Sequence, residues 1–330
     1  MNSPMSNDKY GISVIIPIYN VARFIERCVH SLMKQSLDRI EYIFVNDCTQ
    51  DNSIEILKRV LECYPARKNH VKLIEHKTNK GLAAARLSGL KYATGDYIIH
   101  CDSDDWVEFD MYEKMYNLAI SDGADIVVCD VIHEYDNYEC IEKLNPKMSP
   151  RDVINKLNIR YGWYLWNKLV KRGLIFDNNI FPIIGINMWE DLVVTNRLFY
   201  YSEKVSYLDV PLYHYNRHND TSIVNSQKLL SKREQQYVVV ESLKTFFEKE
   251  GFDFSEGYLS YRLTIKDKFL ELDPPDFKSW RKFYPEISKL VLKDKSYSLS
   301  YRLSYYLAQR GMVMPFLLLS KLSKLRRKSN

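Results

Sequence analysis

Three carboxylates fall within four residues at Asp102-Ser103-Asp104-Asp105. No cationic residue adjoins them, so they repel one another unless something positive sits among them. Hard divalent cations, Mn²⁺ or Mg²⁺, favour oxygen ligands and would relieve that repulsion. Such an ion can bridge to a diphosphate and neutralise charge on a departing nucleotide. The rival reading is a solvated acidic turn, because Asp is also a turn residue. Position favours the ion: the quartet directly follows an apolar run, Asp96-Tyr97-Ile98-Ile99-His100-Cys101, that reads as a strand. A second acidic pair, Glu190-Asp191, opens a helical pattern running from Leu192 to Phe199. By itself this pair reads equally as the charged first turn that helix N-termini favour.

The elements that must hold these acids alternate in kind. Ile12 to Pro17, Glu41 to Val45, Val71 to Ile74, Asp96 to Cys101 and Asp125 to Cys129 are short apolar runs of the kind found in buried parallel strands. Between them lie helical patterns: Phe24 to Met33, Ile54 to Leu61 with Asp51-Asn52-Ser53 as its cap, Leu82 to Tyr92, and Met111 to Ile120. Strand and helix at this rhythm predict an α/β fold with a doubly wound, mostly parallel sheet. In such sheets ligands bind beyond the carboxyl ends of the strands. The first strand ends in Pro17-Ile18-Tyr19-Asn20 and the second in Asn46-Asp47-Cys48-Thr49. The third leads to Asn79-Lys80-Gly81, with Arg86 one turn into its helix, and the fourth leads to the acidic quartet. Polar groups thus gather on one edge.

The bulk composition excludes several classes. With 330 residues, 46% apolar and 27% charged, the chain is an ordinary folded protein with more than one average domain. A net charge of +5 is too mild for a nucleic-acid partner, and none is expected. Cys28, Cys48, Cys63, Cys101, Cys129 and Cys140 form no CxxC pair and no zinc-like cluster, which suggests a reducing, cytoplasmic location. The polar start, Met1 to Gly11, lacks the apolar core of a signal peptide. No apolar stretch reaches the ~18 residues of a membrane span. From Ser226 onward strand signals vanish and helical patterns take over, broken near Pro274-Pro275 and Pro285. We therefore expect a catalytic domain over residues 1–225 and a helical region over 226–330. The tail, Leu317 to Lys328, joins apolar residues to five cations. It reads either as a segment lying on an anionic membrane surface or as a last packed helix with a solvated cationic end.

Four ordered segments together resemble family 2 glycosyltransferases: Ser13 to Asn20; Val45 to Ser53; Asn79-Lys80-Gly81 with Ala85-Arg86; and Gly95 to Ile98 with Asp102 to Asp105. The resemblance covers about residues 11 to 220. It implies the GT-A fold and inverting transfer from a nucleotide-diphosphate sugar, UDP-linked by preference, to a glycan or lipid-linked acceptor. The setting it implies is bacterial surface polysaccharide or lipopolysaccharide synthesis, with an acceptor of that kind making attachment to the inner face of the plasma membrane useful. Carried over by position, Pro17 and Tyr19 would line the base pocket with Asn20 beside them, and Asp47 would bind the base. Arg86 would approach the base or diphosphate, with Asn79 and Ser103 on the same donor side. Asp102 would touch the ribose or metal-bound water, and Asp104 would ligate the metal.

The Glu-Asp pair similar to Glu190-Asp191 supplies the family's catalytic base, Asp191 being the first choice and Glu190 the second. Trp166-Asn167-Lys168 resembles a segment on the acceptor side, and Trp163, Trp166 and Trp189 could stack on sugar faces or equally be core aromatics. His218, and after it His214, could reach the metal or diphosphate as a His does in some relatives; a structural His is the alternative. Cys48 and Gln50 stand where the family commonly has Gly and Thr, and Leu87 where Asn is common. Two other functions fit less well. A sugar nucleotidyltransferase would want a Gly-rich phosphate loop after the first strand, and a dehydrogenase would want GxGxxG there. A degenerate transferase kept as a glycan- or partner-binding module would give no donor hydrolysis.

Overall fold

The structure is a computed structural model that describes residues 10–144, 149–156, 163–218, 229–272, 274–295 and 297–319. Among the described residues the elements are β1 (Ile12–Ile18), α1 (Ile25–Met33), β2 (Ile40–Asn46), α2 (Ser53–Leu61), β3 (Val71–Glu75), α3 (Leu82–Leu90), β4 (Tyr97–His100), β5 (Trp106–Val107) and α4 (Met111–Asp122). There follow β6 (Ile126–Tyr135), β7 (Tyr138–Glu142), α5 (Pro150–Lys156), β8 (Lys168–Lys171), α6 (Arg172–Asp177), α7 (Glu190–Tyr201) and β9 (Val205–Asn216). After β9 come only helices: α8 (Leu229–Lys249), α9 (Ser255–Asp267), α10 (Phe277–Lys282), α11 (Ile287–Lys293) and α12 (Leu299–Gln309).

The described strands form one sheet in the order β3-β2-β1-β4-β8-β6-β9-β5, with β7 paired to β6. β3, β2, β1 and β4 are mutually parallel, and every side chain of β1 is buried, as a strand covered on both faces requires. From β1 the chain steps to β2 and β3 on one side, then returns to β4 on the other. That reversal opens a crevice between the carboxyl ends of β1 and β4, the place where doubly wound sheets bind ligands. α3 lies so close to β1 that a Cβ on Gly89 would stand 2.4 Å from Ile15 Cγ2.

The second half of the sheet departs from simple alternation. β8 runs antiparallel between β4 and β6, pairing Ile98 and Ile126 with Val170. Its four residues follow Trp166-Asn167, and no apolar run announces them as a strand. The sheet is therefore mixed, with six strands running with β1 and β5, β7 and β8 against it. Because β6 and β9 both run with β1, their carboxyl ends join the same edge as the acidic loop.

The chain divides into two compact units, Met1–Gln235 and Gln236–Asn330; the boundary expected near residue 225 lies outside the described residues. The second unit has its own core of Trp280, Ile287 and Tyr305. Lys266 is buried there, its Nζ donating to the carbonyls of Trp280 and Phe283 and to Gln309 Oε1.

Candidate active site

At the end of β1 the backbone turns out through Tyr19, 43% exposed, into Asn20, which takes a left-handed φ of 55°. Asn20 ties this turn to the next loop: its N–H donates to Thr49 Oγ1 at 2.8 Å, and its Oδ1 accepts from Gln50 N. Pro17 is buried, and its carbonyl accepts the Ser103 hydroxyl at 2.6 Å, which locks the ends of β1 and β4 together. Cys48 sits at φ 59°. The left-handed region costs a residue with a Cβ what it does not cost glycine, so this position explains why Gly would be common here.

Asp47 is 3% exposed and faces inward. Its Oδ1 accepts from Lys80 N at 2.9 Å and pairs with His76 Nδ1 at 2.6 Å, while Oδ2 accepts from Gly81 N at 2.8 Å. His76 is held in turn by Ser88 Oγ at 2.8 Å. Asp47 thus pins the start of α3. Gly81 must be glycine: its φ is 87°, and a Cβ there would lie 2.6 Å from Asn187 Oδ1. Asn79 is exposed and accepts from Gly81 N.

Arg86 is the hub. Its guanidinium, 3% exposed, donates through Nη1 to Glu190 Oε1 at 2.6 Å and through Nη2 to Asp102 Oδ1 at 2.9 Å. One buried fork therefore joins the loop after β4 to the first turn of α7, and its own bond to Glu190 spans 104 residues of sequence. Burial opposes the charge on Arg86, but Asp102, Glu190 and Asp191 outweigh it and keep the group protonated. Burial pushes Glu190 up to about 8, with the Asp191 charge adding and Arg86 opposing. Burial also raises Asp191, to about 6, against the pull of Arg86 and an N–H bond from Leu192. The residue before the pair, Trp189, is held at φ 64°, a strained conformation for so large a side chain.

In the acidic loop the three carboxylates have different surroundings. Asp105 is 1% exposed and takes the Tyr213 hydroxyl on Oδ2 and Asn216 N on Oδ1. Burial, then the charges of Asp104 and Asp102, push it well above the carboxylate range. Asp102 is partly exposed and oriented by Arg86, and Asp104 is half-buried. Arg86 relieves part of the repulsion at Asp102 and the upward shift of Asp105 relieves part of the rest, and the loop still offers hard oxygen donors from Asp102 and Asp104. This donor set fits Mn²⁺ or Mg²⁺. A separate group of three, Glu134, Glu139 and His214, brings ligand atoms within 4.8 Å of one another and could hold a divalent metal. Arg27, however, already grips both oxygens of Glu134, at 2.8 and 3.1 Å.

The expected acceptor residues are mostly enclosed. Trp166 is 4% exposed and stacks between Tyr164 and Tyr213, with centroids 4.4 and 4.2 Å away, so its ring faces are covered by tyrosine. Asn167 and Lys168 are buried beneath it; Asn167 Nδ2 donates to Cys129 O, and Lys168 Nζ to Tyr164 O and Asn167 Oδ1. Burial lowers Lys168 to about 7, with Asp191 opposing. Trp163 and Trp189 keep partial exposure, their rings 5.7 Å apart. His214 is structural in its surroundings, stacked on Trp106 at 3.3 Å and set between Glu134 and Glu108. His218 pairs through Nδ1 with Asp136 at the tip of the β6–β7 hairpin. Sequence reasoning missed His76 and Tyr213. His76 was findable, because it directly follows β3 as Asp47 follows β2.

The chain matches the model of glycosyl transferase family 2 over residues 13–167. It is 34% identical over 222 residues to the uncharacterized glycosyltransferase EpsJ of Bacillus subtilis, covering 64% of this chain and 62% of that one, less than two thirds of its length. It is 30% identical over 271 residues to the cholesterol galactosyltransferase of Borreliella burgdorferi, covering 77% and 72%. In fold it resembles S. aureus TarS 1-349, crystallised with UDP-GlcNAc, with a TM-score of 0.70 over 92% of this chain and 89% of that one at 17% identity. The four ordered motifs, their place at the switch point and these likenesses agree, and the chain belongs to glycosyltransferase family 2.

Proposed function

We propose that the chain is an inverting transferase that moves a sugar from a nucleotide-diphosphate donor, UDP-linked by preference, to a glycan or lipid-linked sugar of a bacterial surface polysaccharide. The observation that carries the reading is the buried Arg86 fork, which brings the donor-side Asp102 and the acidic start of α7 into one crevice. The glycosyltransferase and galactosyltransferase names of the relatives, and the UDP-GlcNAc in the TarS crystal, support a nucleotide-sugar donor.

In an inverting transfer the acceptor hydroxyl attacks the anomeric carbon opposite the leaving diphosphate, and a carboxylate must accept its proton. Such help is worth roughly 10²–10⁴-fold in rate. Asp191, near 6, is ionised at neutral pH; Glu190, near 8 and tied to Arg86, is the poorer acceptor. Asp191 is therefore the base and Glu190 its anchor. Asp102 and Asp104 would hold the divalent cation, whose contribution is to neutralise charge on the departing diphosphate. Asp105, enclosed by Tyr213 and Asn216, shapes the loop.

Calorimetry of UDP, GDP, CDP and dTDP with and without Mn²⁺, on wild type and Asp104→Ala, tests this. UDP binding that needs the cation and is lost in the variant supports it. No cation-dependent binding of any nucleotide sinks it and leaves a glycan- or partner-binding module.

A further inference from the structure

From Lys295 to the last residue, Asn330, the chain contains no Asp or Glu and eight cations: Lys295, Arg302, Arg310, Lys321, Lys324, Arg326, Arg327 and Lys328. Lys321, Lys324, Arg326, Arg327 and Lys328 lie outside the described residues, and the described part of the stretch is folded. α12 is capped by Ser298, whose Oγ accepts from Tyr301 N, and it buries Ser304, Tyr305 and Ala308. Tyr305 is fixed inward by its hydroxyl, which donates to Asp267 Oδ1 at 2.8 Å. The described residues leave the opposite side uncovered. Leu299 is 61% and Leu303 45% exposed, and they stand four residues apart on one helical face. Tyr306 and Arg310 continue that stripe, the Arg310 guanidinium lying 3.9 Å over the Tyr306 ring. Just beyond, Met312, Met314 and Leu318 are each more than half exposed.

We propose that this face of α12, with Met312, Met314 and Leu318 beyond it, lies on an anionic lipid bilayer. Large apolar side chains interleaved with cations, and no anion among them, are what an amphipathic element needs to bury its apolar side in the headgroup region while basic side chains meet lipid phosphates. The same charge count argues against a second copy, because a two-fold contact would set this cationic stretch against itself. A nucleic-acid partner would use the cations but leave the leucines and methionines in water. Among the described residues no helix is long and apolar enough to cross a membrane. The bilayer contact is independent of the donor chemistry.

The test is co-sedimentation of the full chain with vesicles of phosphatidylglycerol and phosphatidylcholine, against phosphatidylcholine alone, at low and high salt. The wild type pellets with the anionic vesicles, less so at high salt, and little with the neutral ones. Leu303→Glu with Met314→Glu, both at exposed positions, weakens the partition by about tenfold while the melting temperature holds. Lys324→Glu with Arg327→Glu weakens it on anionic vesicles only. Wild type left in the supernatant, or a Leu303→Glu/Met314→Glu variant that binds as wild type does, overturns the proposal. So does light scattering that shows a dimer dispersed by that variant, which would give the face to a second copy.

Discussion

Replacing Asp191 by Asn separates the activity of the proposed base from its cost. The side chain keeps its shape and an oxygen for the Leu192 N–H, but loses the charge. Burial lifts this carboxyl from 3.8 to about 6, which at neutral pH corresponds to at most about 3 kcal/mol of unfavourable charge burial. The sign follows from linkage: with the folded pKa raised, the stabilising contribution is complete below the unfolded value and is lost as pH rises from about 4 through about 6. D191N escapes that loss, so urea unfolding at pH 7.5 should show it as stable as wild type or more so. Its kcat should fall roughly 10²–10⁴-fold, the worth of a general base. Wild-type kcat should itself decline below a pKa near 6, to roughly a tenth by pH 5, while the residual D191N rate stays flat there. The assay is release of nucleoside diphosphate from the donor, with an acceptor, across pH 5 to 8. A D191N enzyme within a few-fold of wild type, or one that keeps the acid limb, would refute the assignment and move it to Glu190.

Two further outcomes follow from the hub and from the residue behind Asp47. Arg86→Met leaves Glu190 and Asp102 without their cation, and breaking a buried pair costs about 3–5 kcal/mol. Because Glu190 can take up a proton instead, urea unfolding should show a larger loss at pH 8.5 than at pH 6; a loss below about 1 kcal/mol at pH 8.5 would remove Arg86 as the strut of the site. His76→Phe takes a donor from Asp47 and should weaken nucleotide binding by about tenfold, whereas His76→Asn, which can still donate, should restore most of it. Equal effects of the two changes in calorimetry would make His76 a packing residue only.

The first half of the sheet was legible because β1, β2 and β4 are buried on both faces and so read as unbroken apolar runs. Their ends could be placed to within a residue or two, and the polar residues after each end fell on one edge. β8 could not be seen, since its four residues borrow their strand identity from β4 and β6 on either side. Nor could the inward turn of Trp166: an aromatic on a sugar platform and one stacked on tyrosines look alike until Tyr164 and Tyr213 are placed around it. Backbone strain at Cys48 and Trp189 has no local sequence signal apart from the glycine expected at the first. The Arg86–Glu190 bond spans 104 residues, beyond any motif's reach.

Asp47 shows how a loop tie and a proposed base reader can be one residue. An ionised carboxylate has about four acceptor positions. His76 Nδ1, Lys80 N and Gly81 N account for three, two of them on Oδ1, so the room left is on Oδ2. The three inner bonds fix the direction of that last acceptor before any ligand arrives, which is the preorganisation that lowers the cost of binding. An acceptor held this way discriminates by hydrogen-bond polarity. Uracil, thymine and guanine each present a ring N–H, whereas the corresponding ring nitrogen of cytosine is itself an acceptor and would face the carboxylate lone pair to lone pair. CDP should therefore bind weakest of the four nucleotides, and Asp47→Asn, whose amide can rotate to present a donor, should narrow that gap. If CDP instead matches UDP in the wild type, Asp47 acts on the loop alone, and the base is read elsewhere in the crevice.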